Sequence, residues 1–232
     1  MWGYFDYVPV STKRANAEKE IIKRRKKTPD IAPVVIEGKK IAKTWWGVAW
    51  IENIESYADF QYRLERGRTY VRNGFVIDLK IDRGVIKALV MGTKVYTVEV
   101  TISPLDAAKW VELSTRCGHR IDNLQALIEG KFPKGLDELF KGSELFPSPK
   151  EIVFSCSCPD WAYLCKHVAA VLYAIGARFD ADPTLFFKLR GVNFEELLKR
   201  SIDEKMRSML ANAKKKSHRV IKDADINELF DL

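Results

Sequence analysis

The apolar pattern of this 232-residue chain predicts an α+β fold: an antiparallel β-meander with packed helices, a small cysteine- and histidine-rich knuckle at a helix N-terminus, and a C-terminal helical segment. Three observations predict it. Between residues 75 and 102 apolar side chains recur at every second position, punctuated by turn residues. Between residues 44 and 57 they recur at helical spacing instead. Three cysteines and a histidine then crowd into residues 156–167, just ahead of an apolar run.

The chain divides into a basic N-terminal arm (1–43), a mixed α+β domain (44–147), a finger (148–180) and a C-terminal helical segment and tail (181–232). Residues 11–43 carry eleven Lys and Arg against four Asp and Glu, close to the whole net charge of +8. Pro29 and Pro33 interrupt the arm, so a short helix near 15–27 is followed by an extended segment. Trp45, Trp46, Val48, Trp50, Ile51, Ile54 and Tyr57 fall at helix-like spacings in the next segment, with Thr44 as a candidate N-cap. That spacing makes the tryptophans core rather than a binding platform.

Phe75, Ile77, Leu79 and Ile81 alternate with Val76, Asp78, Lys80 and Asp82, the mark of a half-buried strand. Asp82-Arg83-Gly84 and Gly92-Thr93 are turns, which gives three antiparallel strands. Ser103-Pro104 supplies a cap and a first-turn proline for a helix to about Thr115. Helices near 121–129 and 136–140 follow, then Pro147 and Pro149, a short strand over 151–155, a helix to about Ala177, and further helical stretches near 183–190 and 193–212. Cys117-Gly118-His119 imitates half of a metal site but has no partner pair, and a helix-ending glycine beside a packed cysteine accounts for it.

The composition, 47% hydrophobic and 30% charged, is that of an ordinary globular chain, and the positive excess favours a polyanionic partner. Residues 1–14 lack the basic-then-apolar layout of a secretory signal. The longest weakly polar run, 168–177, is far short of the roughly 18 residues of a spanning helix. A cytoplasmic protein without a membrane partner is the expectation.

Cys156-Ser157-Cys158, six intervening residues, then Cys165-Lys166-His167 offers three thiolates and an imidazole. Zinc takes such donors in a tetrahedron. Cys156 and Cys158, two apart on an extended segment, project to one side. Cys165 and His167 meet the same ion only where loop becomes helix, because within a regular helix they point about 200° apart. Four protein donors leave no position for water, so the ion expected is one structural zinc, coupled to local folding of a segment too short to fold on its own. The competing readings are cysteines that merely pack and a Cys–His catalytic dyad; four donors at workable spacing favour the metal.

This pattern resembles the SWIM zinc finger. Cys158-Pro159-Asp160-Trp161 followed by Cys165-Lys166-His167-Val168 is similar to its bacterial and archaeal form. The likeness extends upstream through Lys43-Thr44-Trp45-Trp46-Gly47, Trp50, the run from Arg63 to Arg72 and the hairpin at 85–100, covering roughly residues 34–195. The resemblance implies Cys156, Cys158, Cys165 and His167 as ligands, a DNA- or protein-binding role, and association with Swi/Snf-type helicase-like ATPases.

Tyr62, Arg63, Arg66, Arg68, Tyr70 and Arg72 interleave guanidinium groups, which grip phosphates, with rings that stack on unpaired bases. Two readings of this run stand side by side: a nucleic-acid surface, to which Lys166 adds a phosphate-facing cation, or a loop whose arginines pair with carboxylates such as Glu65 and Asp59. Trp161 either covers the metal site or faces outwards. The basic run at 214–222 reads as a charged tail. No P-loop and no paired-carboxylate motif is present, and the metal shell is closed, so a non-enzymatic accessory protein is expected, with DNA as the favoured nucleic acid. The alternative function is an adaptor whose finger docks on an ATPase without touching nucleic acid.

Overall fold

A four-stranded antiparallel sheet, in the order β1-β2-β3-β4, backs one long buried helix. The structure is a computed structural model and describes residues 8–56, 61–118 and 145–213. The elements are α1 (Val10–Arg25), α2 (Trp45–Glu55), α3 (Gln61–Arg72), β1 (Val76–Asp82), β2 (Val85–Met91), β3 (Val95–Ile102), α4 (Ala107–Gly118), β4 (Ile152–Cys156), α5 (Lys166–Ala181), α6 (Thr184–Leu189) and α7 (Phe194–Ala213). The α+β architecture with its meander, and the cysteine–histidine cluster at a helix start, are as the sequence predicts. The helices expected at 121–129 and 136–140 and the basic run at 214–222 lie outside the described residues, as does the packing of Cys117.

The meander gains a fourth strand. β4, the strand expected at 151–155, pairs with β3 from Ile102↔Ile152 to Val98↔Cys156. The chain entering the finger is therefore stitched to the main sheet. Tyr96, Val98, Val100 and Ile102 are buried while Thr97, Glu99 and Thr101 are exposed, as period-two patterning requires. β1 departs from that alternation: Val76 and Asp78 are buried as well. The extended segment after α1 explains it. Val34 N–H donates to Val76 O (3.0 Å), Leu79 N–H to Ala32 O (3.0 Å), and Ala32 N–H to the Asp78 carboxylate (2.9 Å). The arm thereby covers the edge that β1 would otherwise leave open. Arg178 of α5 donates a second bond to Ala32 O (2.7 Å) and one to Pro33 O (3.1 Å).

α5 is buried on every side from His167 to Gly176 and again at Phe179. A helix apolar all round belongs in the middle of a core. α2 reaches it at Gly47, where an added Cβ would stand 2.9 Å from Gly176 O. Trp50, fully buried, donates its indole N–H to Leu172 O (2.8 Å), and Trp46 donates to Phe179 O (2.8 Å). Thr44 caps α2, its hydroxyl accepting from Gly47 N–H (3.3 Å) and donating to Asp180 of α5. Trp50 is core, as its spacing predicts, and Trp45 and Trp46 pack half-buried against that core. α3 comes closer still: a Cβ on Gly67 would meet Ala169 Cβ at 2.4 Å and Ala170 N at 2.7 Å.

α4 starts three residues later than Ser103-Pro104 implies. Asp106 is its cap, accepting from Ala108 and Lys109 N–H (3.0 and 3.1 Å). Ser103 N–H is instead spent on Glu151 O (2.9 Å), which joins the ends of β3 and β4. Arg190, 1% exposed after α6, clasps the same junction through Ser103 O (2.6 Å) and Glu151 Oε1 (2.8 Å).

Candidate metal centre

Cys156 ends β4 opposite Val98, and the strand's pairing continues for one residue: Ser157 N–H donates to Thr97 O and Thr97 N–H to Ser157 Oγ, each at 3.0 Å. Ser157 is thus tied to β3 between Cys156 and Cys158. The loop that follows is held at its ends and in the middle. Asp160 accepts from Ala162 N–H (3.2 Å) and pairs with Arg63, while Tyr163 donates its hydroxyl to Ile152 O (2.8 Å) and packs on Phe154. Cys165 is the N-cap of α5, its sulfur accepting from Val168 N–H (3.5 Å). His167 lies in the first turn, so the loop-to-helix junction demanded by the Cys165–His167 spacing is present.

His167 Nδ1 lies 3.9 Å from Cys165 Sγ and 4.0 Å from Cys156 Sγ, and all four donor atoms fall within 4.8 Å of one another. A zinc tetrahedron with bonds of about 2.3 Å to sulfur and about 2.0–2.1 Å to nitrogen has donor–donor edges of roughly 3.5–3.8 Å. The cluster fits with a contraction of a few tenths of an ångström along the measured edges. Nδ1 is the nitrogen that faces the sulfurs. Cys156, Cys158, Cys165 and His167 are placed to bind one zinc ion.

The acid–base balance of the thiols points the same way. Hydrogen bonding from Cys156, helped by His167 and Val168 N–H against the effect of burial, holds Cys165 down to about 3. Its partner Cys156 is pushed up, first by that same hydrogen bond and then by burial, and burial pushes Cys158 up too. Thiols this close together resist ionising at once, because like charges repel at short range. A divalent ion removes that restriction, and three thiolates with one imidazole complete a four-coordinate shell.

His167 is 3% exposed and sits between rings: Tyr96 at 4.6 Å and Tyr70, edge-on, at 5.4 Å. Its Nε2 is buried without a hydrogen-bond partner among the described residues. Metal-bound histidines are usually oriented by a hydrogen bond from the second nitrogen; here packing does it. Gly92 makes the packing possible, since a Cβ there would stand 2.6 Å from the Tyr96 ring and 3.0 Å from Nε2. Tyr70, Tyr96 and Gly92 have no mark in the sequence that ties them to the metal site, because folding alone brings them to it.

The four arginines predicted to form one surface share α3 but have separate employments. Arg63 pairs with Asp160 of the finger loop, and Arg68 pairs with Glu55 and lies over Tyr173 (5.4 Å). Arg72 donates to Lys39 O (2.8 Å). The carboxylates are Asp160 and Glu55 rather than Glu65, and the segment is a helix rather than a loop; Asp59 lies outside the described residues. Arg66 has no carboxylate partner among the described residues and lies beside Tyr62 (5.9 Å). Lys166 is half-buried over Tyr70 (5.8 Å). Trp161 faces outwards at 95% exposure, with Tyr163 also exposed two residues on.

Comparison with known proteins agrees with this geometry. A family model described as the SWIM zinc finger matches residues 155–176. The chain therefore carries a SWIM zinc finger. It is also 35% identical over 163 residues to the uncharacterized protein Rv2102 of Mycobacterium tuberculosis, an alignment covering 68% of this chain and 58% of that protein. The chain thus spans less than two thirds of the length of the curated relative it matches. No solved structure matches it. No helix among the described residues is long and apolar enough to cross a membrane.

Proposed function

We propose that this protein is a zinc-dependent nucleic-acid-binding accessory protein, with DNA the favoured ligand, that performs no chemistry of its own. The observation that carries the reading is Trp161. An indole left 95% exposed on a short loop, between two pairs of metal ligands, has no packing role. Lys166 shares a cleft wall with Asp160, the residue before Trp161, and Arg66 acts electrostatically on Lys166. Aromatic faces beside cations suit stacked bases and phosphates. Zinc in this reading holds the loop that carries Trp161. The resemblance of the finger and its upstream motifs to prokaryotic SWIM proteins adds a Swi/Snf-type helicase-like ATPase as the partner in DNA transactions.

A gel-shift series with single- and double-stranded DNA and RNA across a salt gradient, with and without chelator, tests the reading. The expected result is salt-dependent binding that falls when metal is stripped and when Arg66 is reversed to Glu. No binding at low salt, together with a stable complex with the ATPase, would replace it with the adaptor reading. Binding unchanged by chelator would move the contact from the finger to the basic arm.

A further inference from the structure

Beside the finger lies a cleft of about 320 Å³, within the roughly 300–1,000 Å³ of ligand-sized sites. Its walls come from five places in the sequence: Lys13 of α1, Tyr70 of α3, Thr93 and Tyr96 of the β2–β3 hairpin, the finger loop from the ligand Cys158 to Asp160, and Lys166 with the ligand His167 at the start of α5. The ammonium groups of Lys13 and Lys166 stand 5.9 and 5.8 Å from the centre of the same Tyr70 ring. Lys94 lies 6.0 Å from the Tyr96 ring, and the Arg66 and Lys13 charges both act on Lys166. Two cations, Lys13 and Lys166, therefore stand on the wall of the cleft, with Lys94 beside one of its rings. The carboxylate on its wall, Asp160, is already paired with Arg63. Three thiolates around a zinc ion carry one net negative charge, fewer than the two cations on the wall. Thr93 and Tyr96 add a pair of hydroxyls in mutual contact at 2.8 Å.

Cations brought together from separate elements around one cavity repel one another, and an anion relieves that repulsion. The next residue after Asp160 is the exposed Trp161. We propose that the cleft seats a backbone phosphate of a single-stranded nucleic acid between Lys13 and Lys166, while Trp161 stacks on a neighbouring unpaired base. The proposal rests on the nucleic-acid reading above and deepens it. It gives the basic arm a defined part, since α1 supplies one of the two phosphate-facing lysines.

The test is a fluorescence-anisotropy titration of a labelled oligothymidylate over a salt gradient, with the full chain, its Lys13→Gln variant and the Lys13→Gln/Lys166→Gln double variant, each checked for zinc content and melting temperature. Each phosphate contact to a single strand contributes about 0.7 to the slope of log affinity against log salt. The slope is expected to fall by about 0.7 in the double variant, which leaves that one phosphate without a cation, and by part of that in the single variant. Trp161→Ala is expected to weaken binding with the slope kept. A zinc-replete Lys13→Gln variant with the full slope would overturn the proposal while leaving the nucleic-acid reading intact. Should the double variant lose its zinc, the single variant, altered on α1 and not between two ligands, decides alone. Duplex bound as tightly as the single strand would also overturn it. A wild-type chain that binds no oligonucleotide would sink both.

Discussion

The two halves of the finger are held in different ways. Its helical half, α5, is buried on every side from His167 to Gly176 and is gripped by α2, α3 and the sheet. Its loop half, residues 157–164, exposes alternate residues, carries Trp161 facing solvent, and is fastened at a few points: Ser157 on β3, Asp160 on Arg63, Tyr163 on Ile152 and the metal ligands themselves. The difference bears on the expectation that zinc makes a segment too small to fold into a folded one. That segment does not depend on a core of its own. β4 belongs to the main sheet and α5 to the main core, so metal has only the loop left to organise.

The comparison is sharpened most strongly from the helical side. Trp50→Ala removes a fully buried indole and its bond to Leu172 O, and should cost about 3–5 kcal/mol in a denaturant titration. Gly67→Ala sets a methyl group against the backbone of Ala169 and Ala170, and should cost about 1–3 kcal/mol, with α3 displaced from α5. An unaltered melting curve would show that the helices have slack at that crossing.

Arg190→Met should cost on the order of 1–3 kcal/mol by leaving Ser103 O and Glu151 without their partner. Its pH dependence has a definite sign. Burial acts to raise the Glu151 carboxyl, but the Ser148 N–H and hydroxyl and the Arg190 guanidinium outweigh it and hold it below its ordinary value. The stabilisation is therefore complete above the ordinary carboxyl range and is lost as pH falls through the lower folded-state value. The gap between wild type and variant should be full at neutral pH and shrink in acid.

The loop side should respond differently. Cys165→Ser should take zinc content from one per chain to near zero while the far-UV circular dichroism keeps its helical and sheet signal. Trp161→Ala should change stability by less than about 0.5 kcal/mol, because the ring packs on nothing that folding needs, yet should weaken binding to single strands by about 1–3 kcal/mol, the worth of one stacked base. A large loss of stability in that variant would mean that the indole is structural after all.

Much of this was legible in the sequence, for physical reasons. Alternation in Tyr96, Val98, Val100 and Ile102, and helical spacing around Trp50, are local patterns that one buried face imposes on a strand or a helix. The ligand set was legible because Cys156, Cys158, Cys165 and His167 sit within one short stretch and zinc demands their chemistry. What failed to show was long-range. Val76 and Asp78 are buried because a segment some forty residues earlier covers β1. Arg63 and Arg68 find Asp160 and Glu55 only once α3 has packed on α5, and Asp106 rather than Ser103 caps α4 because Ser103 is taken by Glu151. The motif from Arg63 to Arg72 had the look of a binding surface. Half of it is scaffold: Gly67 sets the helix crossing, and Arg63 and Arg68 lock it.

Hydrogen exchange read by mass spectrometry on the same sample before and after chelation bears most directly on the division of labour within the finger. Removing zinc should deprotect amides at 158–165, around Trp161, while those at 170–176 in α5 and those of β2 and β3 keep their protection. Deprotection of α5 together with the loop would contradict the account, because the metal would then be holding the core and not the loop alone.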